Sequence, residues 1–240
     1  MLQNLKISSI KGAELLNKHS NRAAVIPYII KRNKDKYEIW FLMGIHKKTK
    51  EITDFGGGVK KGENDLEGAL RELNEETRDI FKDFVTIDDF LDCVAATTTQ
   101  TKFGKNNRPS SLFKTEKFEL VSKITSLYGM SVIFLPIDEK WFETAELFFK
   151  STLSDISYRE IDNNSNFCYP NEELSEIMWI NESTFTKLIN IDSQKLYKDK
   201  FKMWNKLQKF YSLIYNKNIR QSLYEKWNNQ KFTLLHTNEE

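Results

Sequence analysis

Gly57-Gly58-Val59-Lys60-Lys61-Gly62-Glu63, followed by Arg71-Glu72-Leu73-Asn74-Glu75-Glu76, is the stretch whose reading decides the fold. From Asp65 to Asp79 the chain has no Pro and a single Gly. Leu66, Ala69, Leu70 and Leu73 fall on one stripe at three-to-four spacing, so the pattern predicts an amphipathic helix. On that helix Glu72 and Glu76 lie one turn apart with Glu75 beside them, so three carboxylates are expected on one patch. Such a patch repels itself, and a hard divalent cation that takes oxygen ligands, such as Mg²⁺, would stabilise it. The Gly56-Gly57-Gly58 loop lets backbone groups come close to the same point. An exposed acidic helix with pairs such as Arg71–Glu75 would explain the charges. It would leave the glycine loop and its spacing unexplained.

Outward from this stretch the chain alternates between strand and helix patterns. On the N-terminal side, residues 1–20 are polar and read as an arm or a weak helix. Ala23 to Ile30 is a buried-strand pattern whose Pro27 suggests a bulge or an edge. Tyr37 to Met43 reads as a second strand, joined to the first by the charged turn Lys31 to Lys36. His46 to Lys50 is a basic turn, and His46 is read as solvated rather than assigned to the site. On the C-terminal side, Phe90 to Thr98, Phe118 to Ile124 and Met130 to Ile137 read as strands, and Asp138 to Ser151 as a helix. Between them the loop Gln100 to Ser110 carries Lys102, Lys105 and Arg108, cations that suit a phosphate-bearing substrate. A polar loop, Ser154 to Asn171, leads to Glu172 and Glu173. A strand then ends at Trp179-Ile180, followed by a helix, Asn181 to Ile189.

Beyond residue 190 the composition shifts. Lys195 to Lys231 holds ten basic and two acidic residues, with no Pro or Gly. A helical wheel over Lys195 to Tyr215 puts Leu196, Phe201, Trp204, Leu207, Tyr211 and Ile214 on one face. Lys195, Lys198, Lys202, Lys206 and Lys209 fall opposite. The plain reading is an amphipathic helix packed on the core with a solvated lysine face; the functional one is an RNA- or phosphate-binding appendage.

Across all 240 residues the net charge is only +2, with 29% charged residues, which excludes a uniformly basic nucleic-acid coat. The two cysteines, Cys93 and Cys168, lack metal-ligand spacing and read as reduced thiols. Met1 to Ile10 has no continuous apolar core of a secretory signal, and no run reaches membrane-spanning length. A cytoplasmic location without membrane association is expected.

At residues 57–79 the sequence resembles the Nudix hydrolase superfamily, whose box reads G-x5-E-x7-R-E-U-x-E-E-x-G-U, with U aliphatic. Gly57, Glu63, Arg71, Glu72, Leu73, Glu75 and Glu76 fall in register. Arg78 stands in place of the box glycine and Asp79 in place of the last aliphatic residue. That glycine position calls for a left-handed C-terminal cap, in which arginine costs on the order of 1 kcal/mol; otherwise the helix runs on through Ile80 and Phe81. The segment from Asn171 to Ile189 resembles, more weakly, the closing strand and helix of many Nudix domains.

The resemblance implies an α/β fold, a Nudix-type α/β/α sandwich with a mixed sheet over residues 21–190. It is preceded by the 1–20 arm and followed by a basic helical C-terminal extension at 191–240. It also implies a Mg²⁺-dependent (or Mn²⁺-dependent) pyrophosphohydrolase acting on a nucleoside diphosphate linked to another moiety. Glu72, Glu75, Glu76 and the Gly57 carbonyl match the metal ligands, and Arg71 the residue that orients them. Glu63 matches a secondary ligand or structural partner. The general base varies among Nudix families, being either a box glutamate, here Glu72 or Glu75, or a carboxylate on a loop outside the box. Glu172 and Glu173 are the candidates outside the box, with Glu173 taken as the catalytic one. Lys102, Lys105 and Arg108 are the candidate substrate-binding residues. The lysine stripe raises an mRNA-decapping enzyme that holds capped RNA as the alternative. From another class, a catalytically silent nucleotide-binding module remains.

Overall fold

Two apolar runs, Ala23–Ile30 and Met130–Pro136, are buried at every residue and form the middle of a mixed sheet. The computed structural model describes residues 5–33, 36–100, 129–159, 173–190 and 202–236. In chain order these form β1 (Leu5–Lys11), a 3₁₀ helix (Gly12–Asn17), β2 (Arg22–Asn33), β3 (Lys36–His46), β4 (Ile52–Thr53) and β5 (Phe55–Gly58). Next come α1 (Asp65–Thr77), α2 (Ile87–Leu91), β6 (Val94–Gln100), β7 (Met130–Pro136), α3 (Trp141–Arg159) and β8 (Leu174–Asn181). The described chain closes with α4 (Glu182–Ile189), α5 (Asn205–Ile214) and α6 (Lys217–His236). Among the described residues no helix is long and apolar enough to cross a membrane.

The eight strands make one sheet in the order β1-β6-β7-β2-β3-β4, with β5 also paired to β2 and β8 to β3. β2 and β7 run parallel, whereas the other pairs are antiparallel. Unbroken burial without a two-residue alternation is the mark of strands covered on both faces. Helices α1, α2 and α6 supply contacts to this central pair. The architecture is therefore mixed α/β, as the alternating patterns imply.

Pro27 does not mark an edge. β2 pairs with β5 through Arg22–Val25 and with β3 from Tyr28 onward. Pro27 falls in the gap where one partner replaces the other, so its missing N–H removes no ladder bond on that side. Within the stretch 1–20, read from sequence as an arm or a weak helix, Leu5–Lys11 joins the sheet, pairing along its whole length with β6, and Gly12–Asn17 forms the 3₁₀ helix.

Two helix predictions need correction. The helix expected to end at Ser151 continues to Arg159, taking in the start of the expected polar loop. The helix expected from Lys195 to Tyr215 begins only at Asn205. Ahead of it the chain is extended, with Met203 bridged in parallel to Ile52. Ile52 N–H donates to the Lys202 carbonyl at 2.8 Å, and Trp204 N–H donates to the Ile52 carbonyl at 3.0 Å. With Met203 buried, pairing to β4 outweighs helical propensity there. Lys195, Leu196, Lys198 and Phe201 lie outside the described residues, as does the strand expected at Phe118 to Ile124.

The C-terminal helices share the core of the sheet. Leu207, Phe210, Tyr211, Ile214, Ile219, Leu223 and Trp227 are all buried in it. Phe41 of β3, Phe185 of α4 and Tyr215 pack as a trio, edge-on or tilted, with ring centroids 4.6–5.7 Å apart. Tyr28 reaches across from β2, donating its hydroxyl to the Leu223 carbonyl at 3.0 Å.

Candidate active site

Helix α1 is pinned at both ends, and this sets the position of its carboxylates. Asn64 caps it, accepting from the N–H groups of Leu66 (2.9 Å) and Glu67 (3.0 Å), while Glu67 reaches back to Asn64 N–H at 2.8 Å. Asp65 is fully buried. It accepts from the Ser20 hydroxyl at 2.7 Å and the Ser131 hydroxyl at 2.6 Å, tying the first turn to the loop before β2 and to β7. At the other end Arg78 and Asp79 are both left-handed, with φ of 58° and 61°. Asp79 N–H closes the turn on the Asn74 carbonyl at 2.8 Å. The helix therefore stops where a box glycine would stop it, and does not run on through Ile80. Arg78 is held in that conformation by its side chain. The guanidinium lies 4.3 Å from the Phe149 ring centroid and donates to the Leu174 carbonyl at 3.3 Å.

Gly57 allows the closest approach in the site. A Cβ added there would meet the carboxyl carbon of Glu72 at 2.5 Å. The absence of a side chain at 57 is what lets this carboxylate sit against the glycine backbone. One turn further along α1, Glu76 accepts from Gly56 N–H at 2.8 Å. Burial pushes both glutamates above the ordinary carboxylate range. Arg71 opposes this at Glu72, as Arg22 does at Glu76, and further carboxylates add to the upward push. Two oxygen-rich groups held at a glycine loop in a desolvated, mutually repelling setting are a donor set suited to a hard divalent cation.

Arg71 gathers the rest of the box. Nε and Nη2 donate to the two Glu63 oxygens at 2.8 and 3.0 Å, and Nη2 also reaches the Gly58 carbonyl at 2.8 Å. Nη1 donates to Glu72 at 2.5 Å and Glu75 at 3.1 Å. The hydrogen bond to Arg71 is the main reason the Glu63 pKa falls below its ordinary value.

The expected patch of three carboxylates is not gathered as drawn from the helical wheel. Glu75 turns outward to Arg71 and lies 3.6 Å from Lys60 Nζ. Among the described residues no three acidic, histidine or cysteine side chains stand in an arrangement ready to hold a metal. Arg71 occupies the space between Glu72 and Glu75, and charge-assisted hydrogen bonds to it are stronger than neutral ones.

In front of the glycine loop opens a cleft of about 480 Å³. Gly57, Glu76 and Glu173 all line it, so three residues chosen from distant parts of the sequence meet there. His46, left unassigned from sequence, also lines it. Its Nδ1 accepts from Thr49 N–H at 3.1 Å, which leaves the neutral ring's proton on Nε2. Glu172, Lys102, Lys105 and Arg108 lie outside the described residues. Phe55 and Trp179, aromatic side chains of the kind that stacks on a base, are buried in the core, while Phe103 and Tyr169 lie outside the described residues.

Residues not chosen from sequence complete the cleft. Arg22, at the start of β2, is buried and donates to Asp54 at 3.2 and 2.5 Å and to the Gly56 carbonyl at 2.8 Å. Burial works against its charge, yet Asp54 holds its pKa above the ordinary arginine value. The Tyr211 hydroxyl, from α5, donates to the same Asp54. Trp204 and Lys206 also line the cleft. A charged residue opening a buried strand and an aspartate beside a glycine loop were visible signals. No spacing rule joins positions 22, 54 and 211, because the link is made by tertiary packing.

No family model matches the chain, and no curated protein matches it. Among solved structures the chain is similar to a mutT/nudix family protein from Listeria innocua, seen in a crystal structure. The likeness covers 61% of this chain and 99% of that one, at 14% identity and a TM-score of 0.31. At this level of likeness the functional reading rests on the side chains themselves.

Proposed function

We propose that this chain is a divalent-metal-dependent hydrolase of the Nudix type, cleaving a pyrophosphate bond in a nucleoside diphosphate joined to another moiety. One observation carries the reading: Glu72 is seated against the side-chain-free Gly57, with Glu76 one turn on at Gly56 N–H. Glu72, Glu76 and the Gly57 carbonyl would hold Mg²⁺ or Mn²⁺, with Glu75 near the rim. The bound ion supplies neutralisation of the diphosphate charge, the main demand of phosphoryl chemistry.

The chain's own residues supply positioning. Arg71 fixes the orientation of Glu72 while anchoring the glycine loop through Gly58. Arg22, which lines the cleft, holds the Gly56 carbonyl through its guanidinium. Glu173, on the cleft wall, is the candidate to take the proton from water as water attacks phosphorus. The bridging P–O bond breaks and the reaction leaves two phosphate-bearing fragments.

The test is phosphate-product release with Mg²⁺ from nucleoside triphosphates, ADP-ribose, dinucleoside polyphosphates and capped RNA. Wild type is run beside Glu76→Gln, which keeps the size and removes a charge. Turnover by wild type, reduced at least about a hundredfold in Glu76→Gln, is expected. Preference for capped RNA, with a steep loss of binding as salt rises, would point to the decapping branch. Nucleotide binding without turnover on any substrate would replace the hydrolase reading with a silent binding module.

A further inference from the structure

We infer that Trp204 and Lys206 form the nucleoside end of the cleft, with the Trp204 indole as the stacking platform for the base of a nucleoside diphosphate. The inference rests on the proposed hydrolase reading for the diphosphate end and adds the recognition of the other half of the substrate.

Four observations carry it. Trp204 lines the same cleft as Gly57 and Glu76, and it keeps 36% of its surface exposed, high for the largest apolar side chain. It is presented rigidly. The Ile52 strand holds the chain on both sides of Met203 by backbone hydrogen bonds at 2.8 and 3.0 Å, and Met203 plugs into the core. Extended backbone sends neighbouring side chains to opposite sides, so burying Met203 turns Trp204 outward to the cleft. Cations lie over the indole ring. The Arg22 guanidinium carbon and Lys206 Nζ each lie 5.9 Å from its ring centroid, and both residues line the cleft. A part-exposed indole with cations over its ring, in one cleft with the glycine loop and Glu76, matches a ligand with a flat ring at one end and phosphates at the other.

Trp204 could instead serve only to cover the Arg22–Asp54 pair. A covering role is compatible with the 36% exposure, so the two roles are separated by what they predict for variants. The covering role predicts that Trp204→Ala damages stability and leaves ligand preference unchanged. A stacking role predicts the reverse.

The experiment is equilibrium binding of Mg²⁺–ADP and of Mg²⁺–pyrophosphate, which lacks the base, to wild type, Trp204→Ala, Trp204→Phe and Lys206→Ala, with thermal unfolding of each. ADP is expected to bind wild type more tightly than pyrophosphate. Trp204→Ala should weaken ADP about tenfold, equivalent to about 1.4 kcal/mol, and leave pyrophosphate within about twofold. Trp204→Phe, which keeps a ring, should recover most of the loss. Lys206→Ala should weaken both ligands, since both carry phosphates. The platform is overturned if ADP binds no tighter than pyrophosphate, or if Trp204→Ala weakens both ligands equally or neither. The hydrolase reading fails separately: ADP binding that depends on Trp204 with no turnover of any substrate would keep the platform and discard the chemistry.

Discussion

At the scale of single residues, Gly57 and Glu63 give the sharpest tests. A Cβ at position 57 would occupy the place of the Glu72 carboxylate, and the obstacle is the end of a flexible side chain rather than backbone. Gly57→Ala should therefore lower stability by only about 1–2 kcal/mol. It should also raise the Mg²⁺ concentration needed for half-maximal turnover at least about tenfold, read by metal titration. Glu63 titrates below its ordinary value of 4.5, chiefly through the Arg71 hydrogen bond. A depressed folded-state pKa means stability present above the unfolded value and lost as pH falls through the folded one. Thermal midpoints of wild type should fall as the pH drops below about 4.5, and Glu63→Gln should flatten part of that fall while lowering the midpoint at neutral pH. A slope unchanged by the substitution would remove Glu63 from the acid sensitivity.

At the scale of elements, the end of α1 shows two opposing effects whose sizes differ. Arg78 in the left-handed region costs about 1 kcal/mol, which Arg78→Gly would recover. The same change removes a buried cation over Phe149, about 1–2 kcal/mol, and a charged hydrogen bond to the Leu174 carbonyl, about 1.5–3 kcal/mol. The contacts win. Arg78→Gly should destabilise by about 1.5–4 kcal/mol in denaturant unfolding, even though it restores the residue found in the box pattern. Sequence reasoning located this helix well because its apolar stripe, uninterrupted by Pro, is a local signal. It misplaced the start of α5 because a strand partner at Ile52, far away in the chain, claims residues 202–204.

At the scale of the molecule, the basic C-terminal segment is joined to the site. Tyr211 contacts Asp54, Asp54 pairs with Arg22, and Arg22 holds the Gly56 carbonyl beside the carboxylates. Tyr211→Phe leaves a buried Asp54 with one fewer donor and should lower stability by about 1–3 kcal/mol, with turnover reduced as well. Truncation after Asn190 strips the core of Leu207, Phe210, Ile214, Leu223 and Trp227. Such a chain should lack a cooperative unfolding transition by calorimetry. A sharp transition near that of the full chain would show that residues 21–190 stand alone.

The sequence by itself determined the features written in short-range patterns: the amphipathic α1, the apolar central strands, and the glycine loop with its glutamates. Helical and strand periodicities, caps and motif spacings act within a few residues of one another, so they can be read along the chain. Only the tertiary structure decided which carboxylates Arg71 draws aside, that Pro27 sits at an exchange of strand partners, and that Trp204 faces the cleft. Those outcomes depend on contacts such as Asp54–Tyr211 and Ile52–Met203, made between residues far apart in sequence. Burial and electrostatic pairing choose such contacts once the whole core has packed, and no linear spacing encodes them.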